Sequence, residues 1–216
     1  MWSITKGDDV MYINDPVEIE KRSMEIIGQE IGDTGFDSDE LAVVKRMIHT
    51  TGDFDYKNIA VFKNNAVRCG IELLKRGCRI FTDTRMAWSG INKRAVEKSG
   101  SVLKCYIDDE RAAYMAKKSG TTRSYAAVEI AYREAVDIFV IGNAPTALYR
   151  VGELIDEGKA NPSLVIGVPV GFVGAAESKE YIRKFDIPSI TTSGTKGGSN
   201  VAASIVNALL YMAVGR

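Results

Sequence analysis

The chain has 216 residues, 45% of them hydrophobic and 26% charged, with Lys+Arg and Asp+Glu equal at 28 each. This length and balance suit one compact core and exclude a disordered polypeptide. Without net charge there is no global field toward nucleic acid or an acidic membrane surface, so a charged ligand must be recognised locally.

Pro16 opens a helical pattern, VEIEKRSMEIIGQEI, whose apolar positions are Ile19, Met24, Ile26, Ile27 and Ile31. Asp37, with Glu40 three residues on, has the form of a capping box for a second helix. That helix runs through LAVVKRMIH, with Leu41, Val44 and Ile48 on one face and Gly52 as its stop. Residues 1–58 are therefore expected to form a helical N-terminal segment.

From residue 59 the pattern becomes strand, turn, helix, repeated to residue 216. Strands are predicted at Ile59–Phe62, Cys78–Asp83, Val102–Ile107, Asp137–Gly142, Leu164–Val168 and Ser189–Thr192. Helical stretches separate them: NAVRCGIELLKRG, DERAAYMAKKSG, TRSYAAVEIAYREA, PTALYRVGELIDEG, ESKEYIRKF and finally SNVAASIVNALLYMA. The alternation predicts a single-domain α/β fold, a mainly parallel, doubly wound sheet with helices on both faces. In such sheets ligands sit beyond the carboxyl ends of the strands, which makes those loops the functional shortlist.

Cys69, Cys78 and Cys105 have no metal-site spacing and are too few for a closed disulfide framework. They read as thiols of a reducing compartment. MWSITKGDDV has no apolar signal core, and no run of about 18 apolar residues follows. A cytoplasmic location without a membrane span is expected.

His49, in RMIHTTGDFDY, is the one histidine and the best general acid or base near neutral pH. The plainer alternative is a helix-end ring bonded to Asp53 or to a terminal carbonyl. TTSGTKGGSNVAASIV sets a glycine-rich turn between strand and helix. There Gly194, Lys196, Gly197 and Gly198 offer N–H groups and one ammonium to an anion. The same glycines equally suit a tight turn, and the spacing is not that of a Walker loop. Arg123 stands at a helix start, where a guanidinium fits a carboxylate. Asn143 follows a strand, and Arg22 and Ser23 lie on the first helix. GVPVGFVG is unusually apolar for a loop and suits the wall of a site for a large flat ligand, or a subunit contact.

Six separated strings, EKRSMEII, RMIHTTGD, TRSYAA, VIGNAPTAL, IGVPVGFVGAAESK and GTKGGS, together resemble the precorrin-8X and cobalt-precorrin-8 methylmutases. The similarity runs from Tyr12 to the final helix. It implies an isomerase of cobalamin biosynthesis that moves a methyl group from C11 to C12 of a corrin precursor. The product is hydrogenobyrinic acid, or cobyrinic acid when the ring carries cobalt.

The resemblance further implies no organic cofactor, no protein-bound metal, and a homodimer with a cleft for the tetrapyrrole. Cobalt, where present, arrives within the substrate. By the same resemblance His49 is catalytic, and Ser23 and Arg123 lie near the ring or its side chains; from the chemistry of the shift, His49 is expected to donate a proton or hydrogen bond to the nitrogen of ring C. Arg22, Asn143, Gly194, Lys196, Gly197 and Gly198 are expected to bind substrate. The stretch TGDFDY and Lys196 tilt the chain toward the cobalt branch. Two rivals stand beside this reading. A non-catalytic tetrapyrrole or anion carrier would use the same pocket. A nucleotide-dependent oxidoreductase would require a G-x-G-x-x-G after the first strand, which is not evident.

Overall fold

A computed structural model describes residues 14–215; Tyr12 lies outside them. Two helices come first, α1 (Pro16–Glu30) and α2 (Ser38–Thr51), then a single turn α3 (Tyr56–Ile59) and strand β1 (Ala60–Lys63). After α4 (Ala66–Arg76) and β2 (Arg79–Thr82) come two short helices, α5 (Arg85–Gly90) and α6 (Lys93–Lys98), then β3 (Val102–Lys104). The remainder is α7 (Glu110–Ser119), α8 (Arg123–Arg133), β4 (Ile138–Ile141), α9 (Pro145–Asp156), β5 (Leu164–Gly167), α10 (Ala175–Arg183), β6 (Ser189–Thr192) and α11 (Ser199–Val214).

The strands form one sheet in the order β1-β6-β5-β4-β2-β3, parallel throughout except for β1, which runs antiparallel to β6 at the edge. Side chains alternate across it. Ile80, Ile138, Val140, Leu164, Ile166 and Ile190 face a core shared with α2, α4 and α11. Phe81, Phe139, Ile141 and Val165 face a second core under α7, α8, α9 and α10. The doubly wound arrangement expected from the sequence is thus present. Chain order reverses between β2 and β4, so the topological switch point lies between their carboxyl ends.

Helix boundaries follow their chemical signals. Asp37 Oδ1 accepts from the N–H groups of Asp39 and Glu40, the Glu40 carboxylate takes the Asp37 N–H, and Gly52 closes α2 at φ 68°. α1 lies on α2 through Ile27 and Ile31, and Arg46 reaches Glu20 at 2.7 Å.

Three short helices were not foreseen. Two of them, α5 and α6, begin at side-chain caps from Thr84 and Asn92, but six residues are too few to display a helical period. The third, α3, takes up Ile59, which was expected in a strand, and β3 stops at Lys104 rather than Ile107.

Candidate active site

His49 occupies the last turn of α2 and is exposed. Its ring, Ser23, Ile26 and Ile27 of α1, and Ile48, Gly52 and Phe54 line an open recess of about 190 Å³. The Arg46–Glu20 pair, by tying α1 to α2, sets Ser23 opposite His49. Neither of the plainer bonds expected for the histidine forms: among the described residues its ring has no hydrogen-bond partner. Partial burial lowers its pKa below the usual value, and the Arg46 guanidinium one turn back lowers it further. A helix C-terminus ordinarily raises a histidine pKa, but here burial and the neighbouring cation prevail. At neutral pH the imidazole is therefore mostly uncharged and keeps one N–H to donate. Arg22, beside Ser23, pairs with Glu25 at 3.3 Å on the exposed side and is not part of the recess wall.

β1 runs against β6, so the turn before β1 and the loop after β6 share one end of the sheet. That register brings the glycine loop to His49's own turn. Lys196 Nζ lies 2.6 Å from Asp53 and 3.1 Å from Asp55, and the Tyr56 hydroxyl donates to the Gly197 carbonyl at 3.5 Å. The ammonium holds both carboxyls below their ordinary range, chiefly through these hydrogen bonds. The Lys196 charge thus faces two carboxylates. Gly198 donates its N–H to Val168 O at 2.9 Å, whereas the N–H groups of Gly194, Thr195, Lys196 and Gly197 have no acceptor among the described residues. Gly197 is obligatory, since a Cβ there would stand 2.1 Å from the Val168 carbonyl oxygen.

At the switch point the site is held by Asp83, just past β2 and fully buried. Its Oδ1 accepts from Gly142 N–H at 2.9 Å, and its Oδ2 accepts from Asn143 at 2.9 Å and Ala144 at 2.8 Å. Burial raises the carboxyl's pKa overall, while these three donors oppose the rise. Ala144 is the N-cap residue of α9 and has no capping side chain; Asp83 instead takes the N–H groups of the turn that leads into the helix. Asn143 is left exposed. Thr122 caps α8 through Tyr125 N–H at 3.1 Å and meets Thr146 Oγ1 at 2.8 Å, which sets the exposed Arg123 beside the start of α9.

All the shortlisted residues except Arg22 and Ser23 thus lie on loops or helix ends around the carboxyl ends of the strands, and Ser23 joins them through the recess. A larger recess of about 270 Å³, lined by Tyr132, Asp137, Lys159 and Ser163 among others, opens at the amino ends of β4 and β5 and contains none of them. Sequence reasoning gave Asp83 and Lys179 no role. A carboxylate immediately after a strand run was the available signal for Asp83; nothing in the local pattern marked Lys179, a helix residue. Beyond β5, Phe172 (95% exposed) and Val173 (89%) project from the apolar loop. Among the described residues no three His, Cys, Asp or Glu side chains are grouped to hold a metal ion, and no helix is long and apolar enough to cross a membrane.

Comparison with known proteins converges on one family. The family model described as precorrin-8X methylmutase matches residues 18–212. A cobalt-precorrin-8 methylmutase of Salmonella typhimurium is 48% identical over 93% of this chain and 97% of its own. One from Methanocaldococcus jannaschii is 38% identical over 99% and 98%. The precorrin-8X methylmutase of Pseudomonas aeruginosa is 36% identical over 92% and 96%. Among solved structures, a precorrin-8X methylmutase from Thermus thermophilus superposes with a TM-score of 0.85 at 37% identity, covering 92% of this chain and 96% of that one.

Proposed function

The chain belongs to the precorrin-8X methylmutase family and is an isomerase of cobalamin biosynthesis; from that premise we propose that its substrate is cobalt-precorrin-8, converted to cobyrinic acid by migration of a methyl group from C11 to C12. Support for the cobalt-bearing ring comes from the relatives: those of 48% to 38% identity carry the cobalt-precorrin-8 name, and both names occur between 37% and 36%. The C11–CH₃ bond breaks and the C12–CH₃ bond forms within one molecule, so no atom is gained or lost. An intramolecular shift needs neither an external methyl acceptor nor a redox partner, which supports a reaction without organic cofactor, the cobalt entering as part of the substrate.

The observation that carries this reading is the meeting of His49 and Ser23, from two separate motifs, in one recess. His49 N–H donates to the nitrogen of ring C and favours the rearranged tautomer, with Ser23 beside the ring. The macrocycle's acetate and propionate groups are met locally, by the Arg123 guanidinium and by the acceptor-free N–H groups of the glycine loop. Holding the ring in a single geometry supplies the rest of the acceleration. A homodimer in the cytoplasm completes the proposal; the exposed Phe172 and Val173 support a subunit contact beside the site.

The test is incubation of the purified protein with cobalt-precorrin-8 and with its metal-free analogue, following the visible spectrum and product mass. Conversion of the cobalt substrate at constant mass, lost in His49→Ala, is the expected result. Preference for the metal-free ring would move the chain to the other branch. Tight binding with no conversion would make it a carrier.

A further inference from the structure

Lys179, on α10, is fully buried, and its ammonium has only neutral acceptors. Its Nζ donates to the Lys196 carbonyl at 2.9 Å and to Thr192 Oγ1 at 3.1 Å. Both acceptors are neutral, and among the described residues no carboxylate pairs with it. An ammonium has three N–H donors, so one is left without a partner. The Lys196 carbonyl, for its part, already receives the Thr192 hydroxyl at 2.7 Å. Removing the ammonium therefore orphans no acceptor, while keeping it buries a charge without a counter-ion. A second cation lies close by: Arg183, one turn on, bonds Thr191 Oγ1 and the Thr192 carbonyl and has Glu180 4.0 Å away on its exposed side. Burial, with Arg183 contributing, brings the lysine down to about 8.

The position of this charge is informative. Its carbonyl partner belongs to the loop whose N–H groups at Gly194, Thr195, Lys196 and Gly197 have no acceptor. The side chain of Lys196 is engaged with Asp53 and Asp55, so it does not serve those N–H groups. We propose that Lys179 is a positioning residue for an acidic group of the substrate: it anchors the glycine loop from beneath through the Lys196 carbonyl and supplies the positive charge that a carboxylate seated on the loop neutralises. The counter-ion missing from the fold is a substrate carboxylate. This rests on the corrin reading only for the identity of that carboxylate.

The charged groups around Lys179 are few. β6 carries no titratable side chain. The loop contributes Lys196 with its partners Asp53 and Asp55, and α10 itself contributes Glu177, Glu180 and Arg183, the last two 4.0 Å apart. α9 meets α10 through Tyr149 and Asp156, both directed at Tyr181.

Lys179→Met, similar in volume and uncharged, is compared with Thr192→Ser, which keeps the ammonium and both its acceptors. Without substrate at pH 7, Lys179→Met is expected to unfold at a temperature no lower than the wild type. With cobalt-precorrin-8 its KM rises about tenfold, from loss of the charge beneath the loop, while kcat stays within about twofold; Thr192→Ser keeps the wild-type KM. A lower unfolding temperature with unchanged KM would make Lys179 a purely structural residue and overturn the proposal. If the wild type converts no corrin substrate, the methylmutase reading has failed, and Lys179 is still judged by unfolding between pH 7 and pH 10. Its folded pKa lies below the unfolded value, so the buried charge opposes folding at low pH and is relieved as pH rises through about 8. The stability gap between Lys179→Met and wild type should therefore narrow toward pH 10. A gap that is absent, or constant with pH, overturns the proposal on that branch.

Discussion

Lys196 reaches Asp53 at 2.6 Å across the carboxyl end of the sheet, and so fastens the glycine loop after β6 to the turn that follows His49. The pair joins two strings separated by 143 positions. Its members are half exposed, so it contributes little to global stability. Its consequence is local: it fixes the distance between the helix that carries His49 and the N–H groups proposed to hold a substrate carboxylate.

Lys196→Met is expected to leave the unfolding temperature near that of the wild type and to raise KM for the corrin substrate. Steady-state kinetics beside thermal unfolding checks this. Asp53 has its pKa lowered by Lys196, so the pair's contribution is full above the unfolded carboxylate value of 3.8 and is lost as pH falls below it. In the Met variant that acid-side loss should shrink.

His49→Ala should reduce kcat by about 10²–10⁴, the range for removing one proton-handling group. Binding, read by the shift of the substrate's visible spectrum, should persist, because the other residues lining the recess and the glycine loop are untouched. A variant with kcat near that of the wild type would remove His49 from the mechanism.

The pH dependence follows from the depressed histidine. Burial and Arg46 keep the imidazole neutral at pH 7, and the neutral ring is the proposed hydrogen-bond donor. kcat/KM should be level at and above neutrality and fall as pH drops through a value below 6.5. A rise in kcat/KM on acidification would instead identify the imidazolium as the donor.

Asp83→Asn replaces an acceptor oxygen by an NH₂ group facing backbone N–H. A cost of about 2–3 kcal/mol is expected for the lost and opposed bonds, visible as an unfolding temperature lower by about 4–12 °C. Asn143 and the start of α9 would lose their anchor, so activity should fall along with stability.

Gly197→Ala tests the close approach of loop and strand. The added Cβ meets the Val168 carbonyl oxygen at 2.1 Å, and backbone cannot move aside as a side chain can. A loss of about 3 kcal/mol is expected, measured by denaturant unfolding.

Much of this was legible in the residues. Short β-rich runs, a capping box and terminal glycines act within a few positions, so the α/β class, both N-terminal helices and the six strands could be read locally. The Asp37–Glu40 box and the Gly52 stop formed as the sequence predicts. The short α5 and α6 escaped because a period needs more residues than they contain.

The separated motifs carried the family and pointed to His49, but sequence could not set Ser23 against it. That meeting depends on how α1 lies on α2, fixed by Ile27, Ile31 and the Arg46–Glu20 contact. Likewise, that Lys196 turns to Asp53 and that Asp83 binds the N–H groups at 142–144 follows from strand order. β1 runs antiparallel beside β6, and β2 lies next to β4 although β3 intervenes in the chain. Local propensity decides which elements form because its forces act between neighbours in sequence. Partners for charged groups are decided by packing, which brings together groups 59 to 143 positions apart.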